Sequence, residues 1–174
     1  VTEPLLATRG LSLSFGAVWQ VDEHMERLSG LGLEAIIVGI TNAGCARLDE
    51  YSLFVDAEHG GGAADQFLDF ITQTLKPLID REFRTNTARD FTGIAGSSMG
   101  ALLSLYAFFT RGEVFGFAGA MSPAFWFGHH QIFTPVQQAP FIAGRVYLDV
   151  GTAEGEKTVS DTRRMHEVLL EKGY

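Results

Sequence analysis

The sequence lacks the features that would anchor or cross-link it. It has one cysteine, Cys45, so no internal disulfide can form. No apolar run reaches the ~18 residues that a membrane-spanning helix needs, and no basic segment followed by an apolar one opens the chain as a secretory leader would. These absences favour a cytoplasmic protein without a membrane partner. Cys45 lies beside Gly44, and its role is expected to be that of a small apolar residue and not that of a nucleophile.

Basic residues are also scarce. Lys and Arg number 13 against 21 Asp and Glu, which gives a net charge of −8. A protein that binds nucleic acid through the phosphate backbone needs clustered Lys and Arg, so this class of partner is not expected. Histidines His129 and His130 are adjacent and have no acidic partner at helical offsets, so they lack metal-ligand spacing. No metal and no cofactor is therefore expected.

Short apolar runs alternate with segments of helical periodicity along the 174 residues. Strands are predicted at 33–40, 90–96, 115–122 and 144–151. Helices are predicted at 18–30, 65–83, 99–111 and 157–172, with a long Gly-rich loop at 41–65. Pro77 should kink or restart its helix because proline has no backbone N–H to donate. Strands separated by helices indicate βαβ units and a mostly parallel sheet, so residues 1–174 are expected to form a single α/β domain.

The turn between the second strand and the helix that follows it contains a G-x-S-x-G motif, Gly96-Ser97-Ser98-Met99-Gly100. This is the pattern of a nucleophile elbow, in which a strained turn presents the central serine clear of the sheet. Glycines at both ends are expected because strand and helix pass close together there. The backbone N–H of Met99, at the start of the helix, would then face the oxygen that becomes negative when Ser98 attacks a carbonyl.

Two other interpretations of this turn stay open. It could be a glycine-rich packing turn without chemistry, or a phosphate cradle at a helix N-terminus. The phosphate cradle is the weaker of the two, because neither G-x-G-x-x-G nor the G-K-[ST] of a P-loop is present.

A nucleophilic serine needs a base that is oriented by an acid, in the chain order Ser, acid, His. The acid should follow a later strand, and the stretch VYLDVGTAEGE supplies the candidates. Glu154 lies in the loop beyond the strand and is favoured. Asp149 lies on the strand itself and is more typical of a structural residue, and Glu156 comes third.

The base is not evident among the five histidines. His24 and His59 precede the motif, and His129 and His130 precede every candidate acid. His166 follows Glu154 but falls within a predicted helix, where a surface or packing role is more common.

Several stretches resemble the Putative esterase family of α/β-hydrolases, which includes S-formylglutathione hydrolase, feruloyl esterases, enterochelin-type siderophore esterases and mycolyltransferases. They are SFGAVWQVDEHM, IIVGITNAGCARLDEYSL, LKPLIDREFRT, TGIAGSSMGALLSLYAFF, MSPAFWF and VYLDVGTAEG. The resemblance implies the α/β-hydrolase fold, Ser98 as the nucleophile, the Met99 N–H as one oxyanion donor and the acid in the Glu154 loop.

Two parts of the family pattern are missing from residues 1–174. Relatives carry an earlier strand that ends in a loop often reading H-D-G-Q-N, which gives the second oxyanion donor, and a catalytic histidine beyond the last strand. The chain is therefore expected to be incomplete at both ends, and inactive or impaired by itself.

Three further residues are weaker site candidates. Phe125 and Trp126 could line a substrate pocket, although aromatic residues after a strand are more often core. Arg47, in an R-x-x-E-Y pattern, could contact a substrate acid or pair with Glu50, and the pairing is favoured.

Together these features predict a serine carboxylic-ester hydrolase that acts on a small-molecule ester through an acyl-enzyme. The alternatives are a non-catalytic α/β-hydrolase-like binding or scaffold protein, and an acyltransferase that uses the same nucleophile. The sequence leaves the oligomeric state open.

Overall fold

The structure is a computed structural model that describes residues 26, 27, 29–32 and 34–174. The chain divides into two units, Val1–Thr41 and Asn42–Tyr174. In the first unit, the described residues between 26 and 30 are helical. Most of the helix predicted at 18–30 lies outside the described residues. The single domain predicted over residues 1–174 stays a prediction.

The strand predicted at 33–40 is wrong for the residues that are described. Residues 34–40 have no strand, and Ile37 is 52% exposed. A strand needs a neighbouring strand to satisfy its backbone donors and acceptors, and no described residue pairs with this stretch. An apolar run by itself does not specify that pairing.

The second unit begins with short elements inside the stretch predicted to be a loop. A 3₁₀ turn at Gly44–Ala46 leads into helix α1 (Arg47–Tyr51). A small antiparallel hairpin follows, formed by β1 (Val55–Asp56) and β2 (Gly60–Gly61). A hydrogen bond joins the hairpin to helix α1: the Gly61 N–H donates to Asp49 Oδ1 at 2.6 Å.

The long helix predicted at 65–83 is present in three parts. These are α2 (Ala64–Phe70), a π-helical turn (Ile71–Leu75) and α3 (Lys76–Glu82). The Lys76 N–H donates to the Ile71 carbonyl five residues earlier, as in a π-turn. Pro77 then lies in the first turn of α3, where its missing N–H costs little. The restart expected at Pro77 is confirmed.

Three parallel strands form the main sheet, in the order β3 (Gly93–Ser97), β4 (Phe117–Met121) and β5 (Arg145–Asp149). Strands β4 and β5 lie within predicted strands, and β3 extends one residue, Ser97, beyond the strand predicted at 90–96. The last residues of the three strands are paired in register, so Ser97, Met121 and Asp149 lie side by side at the carboxyl edge of the sheet. Side chains that follow the three strands therefore share one edge of the sheet.

Helices connect these strands. Helices α4 (Met99–Thr110) and α6 (Glu156–Lys172) match the predictions. The short helix α5 (Phe133–Gln138) was not predicted. Two 3₁₀ turns, Arg89–Phe91 and Phe127–His130, lie before β3 and before α5.

Helix α4 is the centre of the core. Residues 101–109 are all buried, as expected for a helix that is apolar on every side. It packs on β3 and β4, where Ala118 and Ala120 are buried with it. The other face of the sheet is open: Phe117 is 37% and Tyr147 is 60% exposed.

Arg89 joins the amino ends of the strands. Its guanidinium donates to the carbonyls of Gly112 at 2.6 Å, Ala143 at 2.7 Å and Phe115 at 3.2 Å. These carbonyls belong to the segments that enter β4 and β5, and Arg89 itself precedes β3. One cation therefore fixes the entry of three strands.

We expect Arg89→Ala to lower the free energy of unfolding by about 2 to 4 kcal/mol, because three carbonyls lose a charged donor. Urea unfolding followed by circular dichroism measures this. Arg81→Ala is the matched control: its ion pair with Glu82 is exposed, so its loss should cost less than about 1 kcal/mol. Equal effects of the two substitutions would contradict the bridging role of Arg89.

Candidate active site

Ser98 lies in the turn between β3 and α4 with φ 58° and ψ −118°. A serine at positive φ is uncommon and carries a conformational cost, which the surrounding structure must offset. The side chain of Ser98 is exposed, and no described residue hydrogen-bonds to its Oγ. The hydroxyl is thus presented to solvent by a strained turn, as a nucleophile elbow requires.

Gly96 explains why strand and helix can meet at this turn. A Cβ at Gly96 would lie 2.6 Å from the carbonyl carbon of Gly100 and 2.9 Å from its Cα. The expectation that Gly100 is equally constrained is wrong. A Cβ there would have only Tyr51 Cε2 near it, at 4.0 Å, which is ordinary van der Waals contact. The close approach involves the backbone of Gly100, not the space around its missing side chain.

The Met99 N–H is the first donor of the twelve-residue helix α4. Within the described part of the chain no backbone or side-chain acceptor takes it. An N–H at this position has no partner inside the helix, and the helix dipole favours negative charge there. It is thus available to an oxygen of a molecule held at Ser98.

Backbone hydrogen bonds tie the elbow to the loop that follows β4. The Ser98 N–H donates to the Met121 carbonyl at 3.0 Å, and the Ser98 carbonyl accepts from the Ala124 N–H at 3.1 Å. The loop that carries Trp126 is therefore fixed against the elbow.

Glu154 lies in the exposed turn between β5 and α6 and is held at one carboxylate oxygen. Its Oε1 accepts from Ser122 Oγ at 2.6 Å and from the Gly151 N–H at 2.9 Å. No described residue donates to Oε2. One oxygen of the carboxylate is therefore anchored and the other is open.

Asp149 is occupied at both oxygens. Oδ1 accepts from the Ser122 N–H at 3.2 Å, and Oδ2 accepts from the Tyr147 hydroxyl at 2.8 Å. The bond to Asp149 raises the pKa of the Tyr147 phenol, so this hydroxyl keeps its proton at neutral pH. Glu156 is the exposed first residue of α6. Glu154 combines an anchored oxygen with an open one, which favours it over both as a group that could orient a base.

Two histidines bond to carboxylates elsewhere in the second unit. His59 Nδ1 lies 2.9 Å from Asp56 Oδ1, and its ring meets the Trp126 ring edge-on at 5.9 Å. His130 Nε2 lies 2.8 Å from Asp161 Oδ2, a pairing that chain order did not suggest.

The other histidines give no base either. His129 and His166 are exposed, and His24 lies outside the described residues. Among the described residues no histidine bonds to Ser98 or Glu154. The base of a triad is thus not assigned to any of the four described histidines.

The two aromatic candidates separate by burial. Phe125 is fully buried and meets the Phe133 ring at 5.6 Å, so it is a core residue and the pocket role suggested for it does not fit its position. Trp126 is 45% exposed on the loop that is bonded to Ser98. Trp126 is the aromatic residue of this loop that a substrate could contact.

Arg47 does not pair with Glu50 as expected. Its guanidinium lies over the Tyr51 ring, 5.6 Å from the centroid, whereas Glu50 Oε2 accepts from the Ala43 N–H at 2.9 Å. The Arg47 guanidinium makes a cation–π contact with the Tyr51 ring, which belongs to the same short helix. Burial raises the pKa of the Tyr51 phenol, although the Arg47 charge opposes this shift.

Ser122 was missed at the level of sequence. It stands directly after β4, as Ser98 does after β3, and it also has a positive φ, of 47°. A serine in the same position after a parallel strand was the signal that could have identified it. Its hydrogen bond to Glu154 could not be predicted from the sequence, because the two residues lie 32 positions apart.

The described residues hold no group of three or more His, Cys, Asp or Glu side chains placed to bind a metal ion. Nor is any helix in this described part both long and apolar enough to cross a bilayer.

Residues 5–170 match the family model described as Putative esterase. The chain belongs to this family. The match extends over nearly the whole sequence, so the resemblance inferred from the motifs is confirmed.

The curated relatives include a Bacillus subtilis (strain 168) protein described as "Uncharacterized protein YbbA", 27% identical over 154 residues, which are 81% of this chain and 61% of the relative. A siderophore enterobactin esterase of Emericella nidulans is 34% identical over 86 residues, 49% of this chain and 27% of the relative.

Solved structures confirm the α/β-hydrolase fold of the Putative esterase family. The BES protein from Bacillus cereus has a TM-score of 0.69 and 23% identity, and the match covers 89% of this chain and 66% of that one. The enterobactin esterase FES from Shigella flexneri has a TM-score of 0.61 and 20% identity, over 76% and 34%. The chain spans about three fifths of the Bacillus subtilis relative and a smaller share of the fungal one.

The two glycines of the elbow give a paired test of its geometry. We expect Gly96→Ala to lower the free energy of unfolding by at least about 2 kcal/mol, because its methyl group would overlap backbone atoms. Gly100→Ala should leave stability unchanged or raise it by up to about 1 kcal/mol, since alanine is the better helix former. Thermal unfolding of both variants measures this. A Gly100→Ala variant as unstable as Gly96→Ala would show that the helix start is more crowded than described.

Proposed function

We propose that this chain carries the nucleophile of a carboxylic-ester hydrolase, with Ser98 as the attacking residue. The observation that carries the proposal is the exposed serine at φ 58° between a parallel strand and a buried helix. Membership of the Putative esterase family supports it.

The reaction follows from the groups at the carboxyl edge of the sheet. Ser98 Oγ attacks the ester carbonyl carbon and gives its proton to a histidine, while the Met99 N–H donates to the carbonyl oxygen as it becomes negative. The tetrahedral intermediate collapses, and the leaving alcohol takes the proton from the histidine. Water then attacks the acyl-enzyme by the same route and releases the acid and Ser98.

Glu154 is the proposed acid. Its open Oε2 can accept the Nδ1–H of the histidine and so hold the ring in the tautomer that accepts the Ser98 proton. Trp126 is the proposed pocket residue on the loop bonded to the elbow. Arg47, engaged with the Tyr51 ring, is a weaker candidate for binding a substrate acid.

A fluorophosphonate probe tests the nucleophile directly. We expect the natural protein in which this sequence occurs to gain one adduct by intact mass, and the Ser98→Ala variant to gain none. Ser160→Ala, an exposed serine of α6, is the matched control and should label like the wild type.

Each outcome of the labelling is informative. A labelled natural protein beside an unlabelled 174-residue chain would place the base outside these residues. A well-folded natural protein that stays unlabelled would contradict the esterase proposal and favour the scaffold alternative. An acyl group passed to an added alcohol rather than to water would favour the acyltransferase.

We further propose the ester bonds of a siderophore as the substrate class. Support comes from relatives described as siderophore enterobactin esterase and as siderophore triacetylfusarinine C esterase, the latter from Aspergillus fumigatus and 41% identical over 68 residues, 38% of this chain and 23% of the relative.

Chromatography with mass detection should show that the natural protein cleaves enterobactin or triacetylfusarinine C and that its Ser98→Ala variant cleaves neither. p-Nitrophenyl acetate is the general ester for comparison. Cleavage of p-nitrophenyl acetate without cleavage of either siderophore would leave the esterase standing and remove the siderophore assignment.

A further inference from the structure

The carboxylate of Glu154 is held in place from two neighbouring loops. The Gly151 N–H, in its own turn, and the Ser122 hydroxyl, in the loop after β4, both donate to Oε1. A Cβ at Gly151 would lie 2.7 Å from this oxygen, so a larger residue there would displace the carboxylate from this position. Because Glu154 is an exposed side chain on a turn, these two bonds are what limit its rotation.

Ser122 is itself held rigidly. Its N–H donates to the Asp149 carbonyl at 3.0 Å and to Asp149 Oδ1 at 3.2 Å. Asp149 is fixed in turn by the Tyr147 hydroxyl. These bonds stabilise Ser122 at φ 47°, a conformation that a serine adopts only when its surroundings offset the cost.

We propose that Ser122 is a positioning residue of the hydrolase, which acts by holding the Glu154 carboxylate with Oε1 occupied and Oε2 directed to the catalytic histidine. This inference rests on the proposed function. A carboxylate that orients a base must keep one oxygen in place through the reaction, and a short hydrogen bond from a rigid neighbour does this. Ser122 touches neither the ester nor the histidine, and works only through Glu154.

The test removes the hydroxyl in two ways. Ser122→Ala deletes it and keeps a side chain at the strained position, whereas Ser122→Gly deletes it and relieves the backbone, because glycine adopts positive φ freely. We expect both to lower kcat of ester hydrolysis about 5- to 30-fold with KM changed less than about twofold, in proportion to one charged hydrogen bond. Thr152→Ala, in the same turn as Glu154 and exposed, is the control and should keep the wild-type kcat.

A double-mutant cycle with Glu154→Ala separates positioning from general damage. If Ser122 acts through Glu154, Ser122→Ala lowers kcat in the wild type and has no further effect once the carboxylate is gone. Additive losses, or a Ser122→Gly variant with full kcat, would overturn the proposal. The second result would mean that the backbone conformation matters and the hydroxyl does not.

Amide hydrogen exchange gives a measurement that does not depend on activity. The Gly151 N–H is protected by the anchored carboxylate, so its exchange should speed up several-fold in Ser122→Ala and stay unchanged in Thr152→Ala. Unchanged exchange in Ser122→Ala would refute the anchoring of Glu154 by Ser122. A natural protein that hydrolyses no ester would instead refute the proposed function, and exchange at Gly151 would still decide whether Ser122 anchors Glu154.

Discussion

The rest of the site depends on the contact between the end of strand β3 and the start of helix α4. Only glycine at position 96 lets the Gly100 backbone come this close. That contact bends the chain sharply at Ser98, which then takes a positive φ and lies exposed, with the N–H of the buried Met99 next to it. Burial of α4 stabilises the strained turn: residues 101–109 of this helix are all buried, and the free energy of that burial offsets the cost of the positive φ at Ser98.

Parallel register brings the other parts of the site to the same edge. Ser98 follows β3 and Ser122 follows β4, and each extends the ladder by one bond to the next strand, to Met121 and to Asp149. Glu154 reaches this edge from the turn after β5. Three loops that are distant in sequence are therefore tied together within two strand spacings, about 10 Å. The opposite edge is fixed separately by the single cation of Arg89.

The regular elements of the second unit could be predicted because each depends on local pattern. The strands that became β3, β4 and β5 are short apolar runs bounded by glycine or polar residues, and helices α4 and α6 follow a period of 3.6. The stretch predicted as a strand at 33–40 has the same apolar character, yet its described residues 34–40 form no strand. A strand is defined by its partner, and composition does not supply one.

The sequence by itself determined the position of the candidate nucleophile, because a G-x-S-x-G between a strand and a helix can be recognised from adjacent residues. It also ranked Glu154 ahead of Asp149 by loop position. Only the tertiary structure decided which of the two glycines is under constraint, that Phe125 is core while Trp126 is exposed, that Arg47 stacks on Tyr51, and that Ser122 holds Glu154. Burial and long-range hydrogen bonds arise when separate segments pack together, so no run of neighbouring residues encodes them.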